Sequence, residues 1–419
     1  MDTKQIKELI LEQKQEFENK TPIIKRQKIE KIDSFSEIPH IVLITGLRRA
    51  GKSTLLKEIK RQYYPDESIY YMNFEDERLL DFDVSDFNTL YESFLEVSEN
   101  SRIFFFDEIQ NITNWEAFVR RMYDRGFKFY ITGSNSSLMS RELGTKLTGR
   151  HVKLELYPFS FKELIASLDI DTGKEFYLIE ERARIKKEFS QYFETGGIPE
   201  YYIYRNKDII RNLYDNILYK DIIVRYGIKD EAAIKSLAYY IITNPGTEIS
   251  YNRLKNFLNI GSQTTVKNYI DHLENSYLIF TINAFDYSLK KQMYSKKKVY
   301  VIDTGLMNIL AFKFSRDAGK MLENIVFLEL KNREYEVYYH AGKNECDFLI
   351  MEGGDITKAI QVTQRIHESN EGRELGGLME AMDRYDLQEG IILTEDTEDM
   401  FDKDGRKIIV KPVWKWLLE

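Results

Sequence analysis

Three apolar runs, His40 to Thr45, Ile103 to Phe106 and Phe127 to Ile131, are continuous rather than alternating, the pattern of strands buried on both faces of a parallel sheet. Each ends in glycine, small polar or acidic residues. The first is followed by apolar positions at helical spacing from Lys52 onward, and residues 1–20 form a charged amphipathic helix pattern. From 161 to 228 the pattern is helical, with Gly196-Gly197-Ile198-Pro199 breaking two helices. Between 229 and 312 helices give way to two strand candidates, Tyr277 to Asn283 and Lys298 to Ile302, joined by a segment that suits a hairpin. One helix there carries Leu254, Phe257 and Leu258. After a turn at Asn259 to Gly261 the next is capped by Ser262 and should bury Val266, Tyr269, Ile270 and Leu273. Residues 313–419 again combine helix and strand. The predicted divisions are therefore 1–20, 21–160, 161–228, 229–312 and 313–419.

The turn after the first run carries specific chemistry. Gly46-Leu47-Arg48-Arg49-Ala50-Gly51-Lys52-Ser53 fits G-x-x-x-x-G-K-[ST], the phosphate loop, and its strand–turn–helix context is the one the motif requires. The glycines let backbone N–H groups approach phosphate oxygens, and the helix start adds partial positive charge. Lys52 is expected to reach the β and γ phosphates and Ser53 to ligate Mg2+, with Thr54 one residue deeper. ATP or GTP is the expected ligand, ATP being preferred. The second run ends at Asp107-Glu108, where Asp107 is expected to hold Mg2+ and Glu108 to polarise the attacking water. The third ends in Thr132 to Ser137, so that Ser134 or Asn135 is placed to meet the γ-phosphate or the water, a helix N-cap being the alternative for either.

The stretches "GLRRAGKST", "FFFDEIQ", "YITGSNSSLMSRELGTKLTGR" and "YPFSFKEL" resemble those of archaeal and bacterial AAA+-type P-loop ATPases, which join this core to a winged helix and a PD-(D/E)xK nuclease-like domain. The similarity runs over most of the chain. It implies an α/β fold class, with a P-loop NTPase (AAA+-like) core at 21–160, a helical lid at 161–228, a winged helix-turn-helix domain at 229–312 and a C-terminal α/β restriction-endonuclease-like domain at 313–419. It also implies an arginine finger or sensor at Arg150, with Arg141 as competitor, and hence a homo-oligomer if the arginine serves a neighbouring subunit. Arg225 is one possible lid sensor.

Charge sharpens the partner. The protein is acidic, with formal net charge −8, yet residues 250–300 hold eight Lys/Arg against three acids. This local excess suggests phosphate contact, and DNA is the expected partner through Gln263, Thr264, Thr265, Lys267, Lys296, Lys297 and Lys298. A protein partner is the alternative, since winged helices also serve as interaction modules. In the C-terminal region Glu323 and Asp347 match nuclease metal ligands, but Gln361-Val362-Thr363 stands where E-x-K is needed. A carboxylate is replaced by an amide and the lysine is missing, so a vestigial site without cleavage is expected, an ATP-dependent nuclease being the alternative if other residues compensate for Gln361 and Thr363. Residues 366–405 carry thirteen acids and three Lys/Arg, a surface that should repel a DNA backbone. One cysteine and five histidines give no disulfide or zinc pattern, and the absence of a long apolar run predicts a cytoplasmic protein without membrane contact.

Overall fold

The continuous apolar runs form the centre of a parallel sheet because side chains alternate faces and both faces are covered by helices. The computed structural model describes residues 2–19, 24–98, 100–136, 147, 149–168, 170, 179–311, 317–366 and 368–419. They divide into a first unit of Met1–Tyr157 with Asn275–Tyr277, and a second of Pro158–Glu274 with Leu278–Glu419.

In the first unit β1 (Ile41–Gly46), β2 (Tyr70–Asn73), β3 (Ile103–Asp107), β4 (Lys128–Gly133) and β5 (His151–Leu156) form one sheet in the order β2-β3-β4-β1-β5. Every pairing is parallel. The carboxyl ends of β1, β3 and β4 therefore open on one edge. The three phenylalanines of β3 anchor it: Phe104 and Phe106 lie in the cluster on one face, Phe105 in the cluster on the other. Each is fully buried, which contributes on the order of 2 kcal/mol apiece. Helix α1 (Thr3–Glu18) belongs to this unit, since its Ile6, Leu9 and Ile10 enter one cluster and its Phe17 the other. Helix α2 (Lys52–Tyr63) follows β1 and buries Leu55, Leu56 and Ile59.

The second unit contains α3 (Ile179–Thr195) and other short helices, and two sheets. The Gly196-Gly197 break is imposed by its neighbours. Gly196 has φ 66°, a Cβ there would meet the Asp303 carboxylate at 2.2 Å, and one on Gly197 would meet the Phe159 carbonyl at 2.1 Å. Strands β6 (Thr247–Ile249), β7 (Ile279–Asn283) and β8 (Lys297–Val301) pair antiparallel in the order β6-β8-β7. Helix α4 (Gln263–Asn275) precedes them and buries Val266, Tyr269, Ile270 and Leu273, as its spacing predicted. Two expectations differ. The β7–β8 connection is not a simple hairpin but carries helix α5 (Leu289–Tyr294), and Phe257 is 69% exposed because only Leu254 of its short helix faces inward.

Helix α6 (Ala318–Asn332) leads into β9 (Glu336–Ala341), β10 (Glu345–Glu352), β11 (Asp355–Val362), α7 (Glu368–Tyr385), β12 (Glu389–Thr394), β13 (Asp399–Lys403) and β14 (Arg406–Pro412). These strands form a mixed sheet in the order β13-β14-β12-β11-β10-β9. Asn324 of α6 docks on β8. Its amide exchanges two 2.8 Å hydrogen bonds with the backbone of Val301, where β6, paired only as far as Val299, has run out. Among the described residues no helix is long and apolar enough to cross a membrane.

Candidate nucleotide-binding site

The turn from β1 into α2 has the backbone the motif demands. Gly46 has φ 153°, Arg49 62° and Gly51 96°. A Cβ on Gly46 would lie 2.1 Å from the Leu156 carbonyl oxygen of β5, so no side chain fits there. Leu47 and Ala50 are buried, while Arg49 is exposed beside them. Ser53 and Thr54 stand exposed at the helix start, but Lys52 is 3% exposed and folded back on its own loop. Its Nζ donates to the carbonyls of Leu47 at 3.0 Å and Gly46 at 3.3 Å and pairs with the Glu108 carboxylate at 3.2 Å. Arg48 pairs with Glu75.

Asp107 ends β3 fully buried. It accepts hydrogen bonds from the hydroxyls of Thr132 and Ser53, and Tyr71 approaches at 3.5 Å. Burial and the neighbouring Glu108 charge push its carboxyl above the usual range. For Glu108 burial acts the same way, but Lys52, a Gln110 hydrogen bond and Arg48 outweigh it and hold its carboxyl low. Glu108 sits at φ 50°, its backbone N–H donating 2.9 Å to Thr132 Oγ1, so the chain leaves the strand abruptly with both carboxylates at the sheet edge. The Gln110 amide bridges Glu108 and Ser134 Oγ, the latter at 3.2 Å. Ser134 and Asn135 are both buried just past β4. Lys52, Ser53, Asp107, Glu108 and Ser134 thus belong to one connected network.

Several members carry no local sequence signal. Arg26, buried, donates 2.9 Å to the Ala50 carbonyl of the loop and also reaches the Tyr157 carbonyl. Tyr277 donates 2.7 Å to Thr45 Oγ1 beneath the loop from 232 residues away. Gln110 and Thr132 were visible as polar residues at the right strand ends, without a reason to choose them.

The structure narrows the arginine expectation to a role outside its own chain's site. The Arg150 carbonyl accepts from Ile41 N–H at 2.9 Å, which puts Arg150 at the amino end of β1 and β5. Across a strand of this length it lies roughly 17 Å from the loop of its own chain. Its side chain pairs with Asp124 at 3.3 Å. It cannot serve its own phosphate site, and Arg141 lies outside the described residues.

The candidate nucleic-acid residues also divide. Gln263, Thr264 and Lys267 are exposed on the first turns of α4, whereas Thr265 is half-buried against Ser262, whose hydroxyl caps the helix. Lys296 pairs with Glu248 at 2.7 Å and Lys297 is half-buried. Lys298 is not a surface residue at all: its side chain is 1% exposed, and its ammonium lies 3.2 Å from Glu323, 2.7 Å from Glu345 and 3.0 Å from Asp347. Burial works against that charge, but Glu323 and the other acids hold the lysine well above its ordinary pKa. The C-terminal carboxylates therefore do have a lysine, delivered by β8 rather than by the strand that bears Gln361. Gln361 is buried, its carbonyl oxygen accepting from Asp347 N–H at 3.3 Å and its amide donating to Glu374 at 2.7 Å.

A family model described as an AAA domain matches residues 39–165, and one described as a domain of unknown function (DUF8612) matches residues 186–317. The uncharacterized protein MJ1544 of Methanocaldococcus jannaschii is 36% identical over 397 residues, 90% of this chain and 88% of that protein. An uncharacterized protein of Haemophilus influenzae is 30% identical over 417 residues, 96% of this chain and 100% of that protein. Among solved structures, that of Drosophila ORC bound to AT-rich DNA and Cdc6 aligns at TM-score 0.22 and 11% identity, over 73% of this chain and 92% of that one. With its phosphate loop on a parallel sheet inside the matched segment, the chain belongs to the family of AAA-domain P-loop ATPases that it shares with these archaeal and bacterial relatives.

Proposed function

We propose that the protein is a Mg2+-dependent ATPase of the AAA+ type that couples ATP binding and hydrolysis to rearrangement of its second unit, acting on DNA through residues 229–312 as a winged helix. The observation that carries the reading is the single network joining Lys52, Ser53, Asp107, Glu108 and Ser134 at the open edge of the sheet. Backbone N–H groups of 46–54 would cradle the phosphates. Ser53 and Asp107 form a hard oxygen pair suited to Mg2+, and the ion, when bound, would offset phosphate charge.

The lysine and the glutamate act in sequence. Without nucleotide, Lys52 holds the Glu108 carboxylate at 3.2 Å. A phosphate that attracts Lys52 releases Glu108 to polarise a water, while Gln110 keeps the carboxylate aimed toward Ser134 and Asn135. Arg150, remote from its own loop, would act on the phosphates of another copy, so the working form is a homo-oligomer. DNA contact rests on exposed Gln263, Thr264 and Lys267, with exposed Lys296, just before β8, as a further cation; residues 161–228 would serve as lid, and 313–419 as a nuclease-like scaffold that does not cleave.

ATPase rate with and without duplex or single-stranded DNA tests this. Stimulation that weakens steeply with salt is expected. Slow turnover indifferent to DNA would transfer the reading to a nucleotide-controlled switch for a protein partner. One observation favours that second reading: Tyr287, Leu289, Met293 and Tyr294, in and beside α5, are 71–82% exposed.

A further inference from the structure

The carboxylates Glu323 and Asp347 sit where a nuclease-like fold would carry a divalent ion, so the fit of such an ion is decided by what their oxygens already do. Lys298 and Tyr300 lie two residues apart on β8 and therefore point to one face. There Glu323 Oε1 accepts from Lys298 at 3.2 Å and from the Tyr300 hydroxyl at 2.7 Å. Asp347 spends one oxygen on Lys298 at 3.0 Å and the other on Val362 N–H at 2.9 Å. The Gln361 carbonyl is turned to Asp347 N–H, and its amide is tied to Glu374. Glu345 supplies the third contact to the ammonium at 2.7 Å. All three N–H donors of the lysine are thus matched by three carboxylates, and the position on which those carboxylates converge is already filled by a cation. The residues present do not fit an added ion while the lysine is there.

We propose that Lys298 is the resident cation of this site: its ammonium occupies the position of a divalent metal, making the carboxylate cluster an ionic joint between β8, α6 and β10 rather than a phosphodiester-cleaving centre. The chemistry is consistent with what surrounds it. The Lys298 ammonium also lies 5.6 Å from the centre of the Tyr339 ring, whose face adds to the negative surroundings of the charge. Glu323 Oε2 lies against Gly246, where an added Cβ would come within 2.7 Å of it, so the carboxylate is seated where only a glycine leaves room for it. A site built for a metal leaves oxygens free and converging, whereas here the converging oxygens of Glu323, Glu345 and Asp347 are turned on the Lys298 ammonium, with the Tyr300 hydroxyl and the Val362 N–H as further donors.

The inference is independent of the ATPase reading and is tested by cation binding without nucleotide. Full-length protein is titrated with Mn2+ and bound ion is followed by electron paramagnetic resonance. The wild type and Asp347→Asn should give the same isotherm, any weak binding at Ser53 and Asp107 being common to both. Lys298→Ala, which leaves three carboxylates around a vacated position, should bind an additional Mn2+ per chain and gain thermal stability from it, and both gains should vanish in Lys298→Ala/Asp347→Asn. If Lys298→Ala does not fold, Lys298→Met keeps an unbranched apolar side chain at this position and is read the same way. An extra Mn2+ in the wild type that Asp347→Asn abolishes, or Mn2+-dependent cutting of duplex or branched DNA lost in the same variant, would overturn the proposal.

Discussion

Removing the phosphate-loop lysine should damage the empty protein as well as its affinity for nucleotide. Lys52 and Glu108 are 3% and 11% exposed at the side chain and 3.2 Å apart. At an effective dielectric near 20 their gross attraction is about 5 kcal/mol, most of it offset by taking both charges out of water. Lys52→Ala deletes the attraction but keeps the cost of the buried carboxylate, so a loss of about 3–5 kcal/mol is expected. Glu108→Gln is milder, about 1–2 kcal/mol, because the ammonium keeps its two loop carbonyls and the new amide oxygen can still accept from Gln110. Lys52→Ala/Glu108→Gln should then be more stable than the sum of the singles by about 2–3 kcal/mol. Urea denaturation without nucleotide measures this. The three tryptophans include Trp115, buried in the first unit, and Trp414 and Trp416 in the second; a Trp414→Phe/Trp416→Phe background lets fluorescence report the first unit alone. Additivity within about 0.5 kcal/mol would show that the pair is not coupled and that Lys52 does not restrain Glu108.

In turnover assays Glu108→Gln should retain ATP binding by calorimetry, since Ser53 and Asp107 are untouched, while hydrolysis falls by a factor on the order of 10² or more; intact hydrolysis would assign the water to another group. Arg150→Ala should bind ATP normally and hydrolyse it poorly, and mixing it with Lys52→Ala protein should restore part of the rate, because one chain offers the arginine and the other an intact loop; demonstrated co-assembly without rescue removes Arg150 from the reaction. Gly46→Ala forces a methyl to 2.1 Å from the Leu156 carbonyl, so loss of nucleotide binding together with lowered melting temperature is expected, and a fully active variant would mean that β1 and β5 are not held together as described. Lys128→Met orphans the carbonyls of Phe35, Ile38 and His40, which Nζ meets at 2.6–2.8 Å, and should cost about 2–3 kcal/mol in denaturation without altering ATP affinity.

Features that depend only on neighbours along the chain are legible in the order of residues. A phosphate loop is a short arc of backbone, so two glycines, a lysine and a serine at fixed offsets specify it wherever a strand precedes and a helix follows. A strand buried on both faces must be apolar throughout, so Phe104, Phe105 and Phe106 announced β3 and pointed to Asp107 and Glu108 at its end. The buried stripe and Ser262 cap of α4 followed from helical period in the same way.

Which distant residues share a site emerges only when the chain is folded. Arg150 follows a polar cluster in sequence, but parallel pairing with β1 puts it at the far end of the sheet. Tyr277 reaches Thr45, and Arg26 reaches Ala50, through closures of the chain that no local pattern encodes. Lys298 is the clearest case: in a run of three lysines it counts as a basic surface residue, and where E-x-K fails the C-terminal lysine counts as absent. Both conclusions reverse once β8 is central in its sheet, because alternation along the strand then turns that one lysine inward, where α6 and β10 bring three carboxylates to meet it.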